Sequence, residues 1–181
     1  MAVLDVSLYG KPILRKLTKR VEDFDGLSDL IGNMFDTMYE NEGMGLAANQ
    51  VSFDLRLAVV DISVYDEYAE PEVFVNGEII ESWGSSVVEE GCLSLPEIRV
   101  DVDRPEFIKF KYQDRKGKYQ EREFNGLMAR VIQHEMDHLN GIFIVNRISP
   151  LKLIQFKKKL KEISNSSQVK ETKKDLSGIV L

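Results

Sequence analysis

Apolar residues recur at three- and four-residue spacing through Leu27, Leu30, Ile31, Met34, Phe35 and Met38. That period predicts an amphipathic helix over about Leu27–Asn41, with Gly43 as its stop signal. After the glycine-rich stretch that follows, the period changes. Runs rich in Val, Ile and Phe predict buried strands at Arg56–Ile62 and Glu72–Glu81, and further strands at Ile98–Val102, Glu106–Gln113 and Lys118–Phe124. The Asp114–Gly117 stretch, closed by Gly117, reads as a hairpin turn.

Asn125 is placed to cap a second helix running through Asn140, and Gly141 stands just past its end, where a left-handed residue commonly terminates a helix. Leu127, Val131 and His134 share one face of it, while Met128, Ile132, Met136 and Leu139 fall on another. Such a helix has protein on more than one side. Ser149 then Pro150 signal the start of a third helix, whose apolar stripe is Leu153, Phe156, Leu160 and Ile163. The order helix, strands, helix, helix points to an α+β fold: antiparallel or mixed β-sheets packed around a central helix, with a C-terminal helix. We expect one catalytic domain over residues 1–163 and a loose polar tail over 164–181, where Gly178-Ile179-Val180-Leu181 is the apolar segment able to anchor it.

Composition narrows the class. The 181 residues are 43% hydrophobic and 30% charged, which excludes a wholly disordered chain. No basic segment leads into an apolar one near the N-terminus, and no apolar run is long enough to cross a bilayer. A lone cysteine, Cys92, cannot form an intrachain disulfide. These features give the expectation of a cytoplasmic protein. The net charge of −6 hides an asymmetry: residues 1–146 carry 15 Lys and Arg against 27 Asp and Glu, and residues 147–181 carry 9 against 3. Any nucleic-acid contact should therefore run through the C-terminus, although Lys157, Lys158, Lys159 and Lys161 also read as an ordinary solvated helix face.

The chemistry concentrates in three short segments. His134-Glu135-Met136-Asp137-His138 is an HExxH pattern on a helix, where residues four apart lie one above the other and both imidazoles can reach one metal ion. Glu135 between them can serve as general base toward a water on that metal. The chain holds only two histidines and one cysteine, and the cysteine sits in Glu90-Gly91-Cys92-Leu93-Ser94. Two His and one Cys leave a fourth tetrahedral position open, the layout of a catalytic metal rather than a closed structural one. A thiolate ligand suits Fe(II) as well as Zn(II), so the residues leave the metal open. Gly43-Met44-Gly45-Leu46-Ala47-Ala48-Asn49-Gln50 offers two glycines for close backbone approach and the amide of Gln50 as an oxyanion donor.

Together, Gly43–Gln50 (GxGLAAxQ), Glu90–Ser94 (EGCLS) and His134–His138 (HExDH) resemble the peptide deformylase family, whose members remove the formyl group from N-terminal formyl-methionine of new proteins. The resemblance runs from the Leu14-Arg15 region to the Ser149-Pro150-Leu151 helix start. It implies that Cys92, His134 and His138 bind one metal ion, Fe2+ in the family, with Zn2+, Ni2+ or Co2+ able to take its place. It also implies that Glu135 is the general acid/base and that Gln50 and the N–H of Leu93 stabilise the oxyanion. Met44, Gly45 and Gly91 would hold the substrate backbone in an extended pose. Leu127 and Val131 are assigned to the wall of the methionine side-chain pocket. Arg130, one turn before His134, fits either a pocket rim or an ion pair, and Glu90 and Asp137 read as supporting carboxylates rather than ligands.

Two other readings share these residues. An ordinary HExxH peptidase takes its third ligand downstream, yet no histidine follows His138. An RNA- or ribosome-binding module with a structural metal would use the basic C-terminal segment but leaves Glu135 and the open fourth position unexplained. A combined expectation is a deformylase acting on nascent formyl-methionyl chains, with no membrane role and with its basic helix making a transient ribosome contact.

Overall fold

The strands form where apolar residues can alternate or run together. The computed structural model describes residues 2–177, with side chains through Ser167. A first helix, α1 (Leu27–Glu40), is followed by β1 (Gly45–Ala47), β2 (Leu57–Val60), β3 (Glu72–Trp83), β4 (Ser86–Gly91), β5 (Arg99–Arg104), β6 (Phe107–Gln113) and β7 (Tyr119–Asn125). Two further helices follow, α2 (Gly126–Leu139) and α3 (Pro150–Ser177). Short 3-10 turns occupy Pro12–Arg15, Ala48–Val51 and Ile144–Asn146.

All strand pairs are antiparallel. One sheet has the order β1-β2-β3-β6-β7, and β4 and β5 form a separate two-stranded sheet. The β6–β7 hairpin closes as the sequence predicts, with the Gly117 N–H donating to the Asp114 carbonyl at 2.9 Å and Gly117 at φ +79°. The large sheet presents Phe74, Phe110, Tyr112 and Phe124 to α2, with Phe74 edge-on to Phe110 at 5.4 Å. Ile132, Met136 and Leu139 of α2 complete that core. Apolar residues of α1 (Ile31, Met34 and Met38) pack against Leu46, Leu57, Val59 and Val75. A third cluster joins Leu160 and Ile163 of α3 to Leu14, Leu95, Ile98, Val100, Val102 and Phe143. The helix carrying the HExxH pattern therefore lies inside the protein, in contact with β1, β2, β6 and β7.

Several sequence expectations need correction. Strand β4 and the short β1 had no periodic signal: β4 is mostly exposed and β1 spans three residues. Asn125 occupies the N-cap position of α2 with extended backbone but makes no side-chain capping bond. Ser149 does cap α3, its Oγ accepting the Lys152 N–H at 3.3 Å. That helix does not stop near Ile163, and residues 164–177 are not a loose tail. No Gly or Pro interrupts the chain between Pro150 and Ser177, and Ser167 is buried. The Gly178–Leu181 segment lies outside the described residues. Among the described residues, no helix is long and apolar enough to cross a membrane.

Candidate active site

Three segments distant in sequence converge at the buried face of α2. His134 and His138 project from consecutive turns, and Cys92 sits just past the end of β4. Their ligand atoms all lie within 4.8 Å of one another, with Cys92 Sγ 3.1 Å from His138 Nε2. A cation bound about 2.0–2.3 Å from each donor would hold them roughly 3.3–3.6 Å apart. The thiol and two imidazoles thus already stand near the spacing a tetrahedral ion requires, and the donor set fits a transition metal. A cation held by three protein ligands keeps one position for chemistry.

The His134 imidazole is oriented from behind. His134 Nδ1 lies 3.0 Å from Glu90 Oε2. Glu90 also accepts from Arg104 Nε at 2.7 Å, Arg104 Nη2 at 2.9 Å and Arg130 Nη1 at 2.6 Å. Burial alone would raise the Glu90 carboxyl, but the His134 and Arg104 hydrogen bonds outweigh it and hold the group well below the usual carboxylate range. Arg104 continues to Asp137 at 2.8 Å, and Arg147 clasps the same carboxylate with two bonds, one of 2.9 Å. Glu90 and Asp137 are thus supporting carboxylates, as expected. Arg130 resolves both ways at once: it lines the cavity and is buried in the ion pair with Glu90. Asn49 is fully buried and donates to the His138 carbonyl at 2.6 Å, tying the 3-10 turn to α2.

Glu135 is 3% exposed and its Oε2 has no hydrogen-bond partner. Burial pushes its pKa up to about 7. A buried, unpartnered carboxylate oxygen costs free energy, and such groups cluster at functional sites; Glu135 borders the cavity beside Cys92 and His134. Room for it comes from Gly45, where an added Cβ would stand 2.4 Å from Glu135 Oε1 and 2.8 Å from Val131 Cγ1. Any larger residue at this position would force the Glu135 and Val131 side chains to shift. We expect Gly45→Ala to displace Glu135 and lower kcat at least about tenfold, with metal content per chain unchanged; a kcat within twofold of the parent would remove that assignment.

Gln50 is 2% exposed and its amide is oriented unambiguously, because Oε1 accepts the Ala47 N–H at 2.9 Å. The amide nitrogen therefore points to Ser94 Oγ at 3.2 Å and toward Cys92 Sγ at 3.9 Å. These groups open on a cavity of about 600 Å³ lined by Met44, Gly45, Gln50, Gly91, Cys92, Leu93, Leu127, Val131, His134 and Glu135, among others. Every sequence-predicted site residue except His138, which is buried beside Cys92, borders it. The residues that sequence reasoning missed are Arg104, Arg147 and Ser94. Arg104 left a trace: β5 alternates inward through Val100, Val102 and Arg104, so the arginine falls on the buried face.

The polypeptide deformylase family, as a sequence profile, matches residues 3–153, which includes every residue of this constellation. The chain belongs to that family. A peptide deformylase of Chromobacterium violaceum is 50% identical over 163 residues, 90% of this chain and 96% of its own. Another, of Mesorhizobium japonicum, is 45% identical over 91% of this chain and 94% of its own. Among solved structures, the chain is similar to a peptide deformylase from Legionella pneumophila (TM-score 0.83, 43% identity, covering 92% and 98%). The peptide deformylase from Thermus thermophilus superposes with a TM-score of 0.85 at 37% identity, covering 91% and 99%. As a peptide deformylase, the protein is a metal-dependent hydrolase that removes the formyl group from N-terminal formyl-methionine and releases formate. The peptidase and RNA-binding readings give way to it.

Proposed function

We propose that Cys92, His134 and His138 hold a single divalent cation, Fe2+ in the native enzyme with Zn2+, Ni2+ or Co2+ as substitutes, and that Glu135 moves the proton. The observation that carries this reading is the buried Oε2 of Glu135, unpartnered beside three converging soft and borderline ligands. The bound cation would supply Lewis acidity and bring a water molecule's pKa toward neutrality.

This chain's own residues do the rest. Met44, Gly45 and Gly91 hold the substrate backbone extended, and Leu127 and Val131 receive the methionine side chain. Both are apolar residues of one α2 face that borders the cavity. Glu135 takes a proton from the attacking water and later gives it to the leaving amine nitrogen. The Gln50 amide and the Leu93 N–H donate to the oxygen that becomes negative as the formyl carbon turns tetrahedral. Ser94 and Ala47 keep Gln50 aimed, so this stabilisation needs little reorganisation.

Formate release from a formyl-Met peptide by anaerobically prepared, iron-loaded protein tests the assignment, with an unformylated, internally cleavable peptide as control. Formate without internal cleavage is the expected result; internal cleavage without formate would overturn it.

We further propose a cytoplasmic enzyme whose catalytic unit covers residues 1–163 and which meets nascent chains at the ribosome through α3. The lysines of that helix are not all equally free to make such a contact. Lys159 is engaged by Glu97 at the cavity rim, leaving Lys157, Lys158 and Lys161 on the exposed side. Reversing those three charges should abolish a salt-sensitive ribosome affinity; an unchanged affinity in sedimentation would end this proposal.

A further inference from the structure

Glu90 orients His134, whereas Nδ1 of His138 is buried without a hydrogen-bond partner. Nε2 of His138 faces the Cys92 thiol at 3.1 Å, so in the neutral imidazole that a metal requires the proton sits on Nδ1. Metal-bound imidazoles almost always donate that proton to a carboxylate, a carbonyl or water. The rings packed on His138 offer no acceptor. Phe143 is a hydrocarbon standing perpendicular to it with centroids 5.7 Å apart, and His134, 4.9 Å away, has its own Nδ1 engaged with Glu90.

Among the described residues, three buried side-chain polar atoms lack a partner: Glu135 Oε2, His138 Nδ1 and Asn49 Oδ1. Glu135 is the proposed proton carrier. The other two atoms are a donor and an acceptor on residues already in contact, since Asn49 Nδ2 donates to the His138 carbonyl at 2.6 Å. That carbonyl has a partner without Asn49, because the Gly141 N–H donates to it at 3.0 Å. Asn49 is fully buried, and its 3-10 turn is tied down by the Ser52 N–H on the Asn49 carbonyl at 3.2 Å and the Phe53 N–H on the Ala48 carbonyl at 3.0 Å. A rigidly held amide with one end on the chain of a metal ligand and the other end unspent is costly to bury for packing alone.

We propose that Asn49 is a positioning residue for the metal: its amide nitrogen fixes the main chain of His138, and its amide oxygen is the acceptor for the Nδ1 proton once the imidazole holds the ion. The two ligands from α2 are then oriented by different chemistry, His134 by a carboxylate and His138 by a neutral amide. The inference rests on the assignment of His138 as a ligand. Its consequence is a fixed tautomer, with Nδ1 protonated and Nε2 free for the cation.

The test compares Asn49→Thr with Asn49→Val, two side chains of nearly one shape of which only threonine carries a hydroxyl able to donate and accept. Zinc affinity, measured by chelator competition, should fall about tenfold in Asn49→Val and stay within about threefold of the parent in Asn49→Thr. The chain has only two histidines, so nitrogen-15 spectra of the zinc-loaded protein resolve each imidazole. In the parent the His138 Nδ1 proton should be downfield and slow to exchange. Asn49→Val should move it upfield and hasten its exchange, while the His134 Nδ1 proton stays in place. A residue that only fills space would move neither, and a parent whose His138 Nδ1 proton exchanges freely would overturn the proposal without any variant. An unchanged His138 proton in Asn49→Val, or a zinc affinity within twofold of the parent, would overturn it too. Failure of the ligand assignment is separate, because the parent's His138 Nε2 would then show no shift on adding zinc.

Discussion

Glu135→Gln is expected to keep its metal and lose about 10²- to 10⁴-fold in kcat, the range a positioned general acid/base contributes. The substitution is isosteric, so the close approach to Gly45 is preserved and the loss reports chemistry rather than folding. An amide cannot take a proton from water and hand it to the leaving amine, whereas a carboxylate can do both. Cys92→Ala and His138→Ala should behave differently, losing the ion itself, because two remaining ligands hold a cation far more weakly than three. Elemental analysis alongside formate release separates the cases. Equal metal content in all three variants would refute the ligand assignment, and a Glu135→Gln variant with parental kcat would remove Glu135 from the proton path.

Arg104→Ala should lower both stability and metal affinity. Arg104 is 2% exposed and bridges Glu90 and Asp137, so its loss strips one partner from each of two buried carboxylates. Breaking a buried pair costs about 3–5 kcal/mol. The lower end applies here, because Arg130 still pairs with Glu90 and Arg147 with Asp137. For a chain of this size about 3 kcal/mol corresponds to a fall of roughly 6–12 °C in Tm. Metal affinity should weaken as well, by about tenfold or more, since Glu90 is the group that orients His134. Thermal unfolding and metal titration measure the two effects. A Tm within about 2 °C of the parent would show that the remaining arginines carry the network alone.

These two predictions draw on unequal sources. The Glu135 prediction could be framed from the sequence: HExxH on a helix puts both imidazoles and the glutamate within reach of one ion, and the scarcity of His and Cys leaves few other ligands to consider. Most elements were equally legible. The periodicity of α1, the two faces of α2, the Val- and Phe-rich strands and the Gly117 turn are local patterns set by residues within a few positions of one another. The Ser149-Pro150 start of α3 was legible for the same reason. Its end was not, because the polar composition after Ile163 hides an uninterrupted helix whose Ser167 is buried.

The Arg104 prediction belongs to the tertiary structure. Arg104 and Glu90 are 14 residues apart, Arg130 and Glu90 are 40 apart, and Arg104 and Asp137 are 33 apart. No period in the chain relates them; they meet because β4 and β5 pair in register and lie behind α2. Gly45 shows the same division. Its place in a glycine-containing motif is plain in the sequence, but that the missing side chain makes room for Glu135, 90 positions away, emerges only when β1 packs on α2. Strand β4, exposed along most of its length, gave no hydrophobic signal because its role is to present Glu90 and Cys92 rather than to fill a core. By itself the sequence determined the reaction class, the candidate ligand set and most of the helices and strands, though not β4, because each depends on residue chemistry and short-range spacing. Packing decided which charges hold the His134 imidazole, where the buried carboxylate finds room and which surface borders the cavity, since burial and ion pairing are properties of neighbours in space rather than neighbours in the chain.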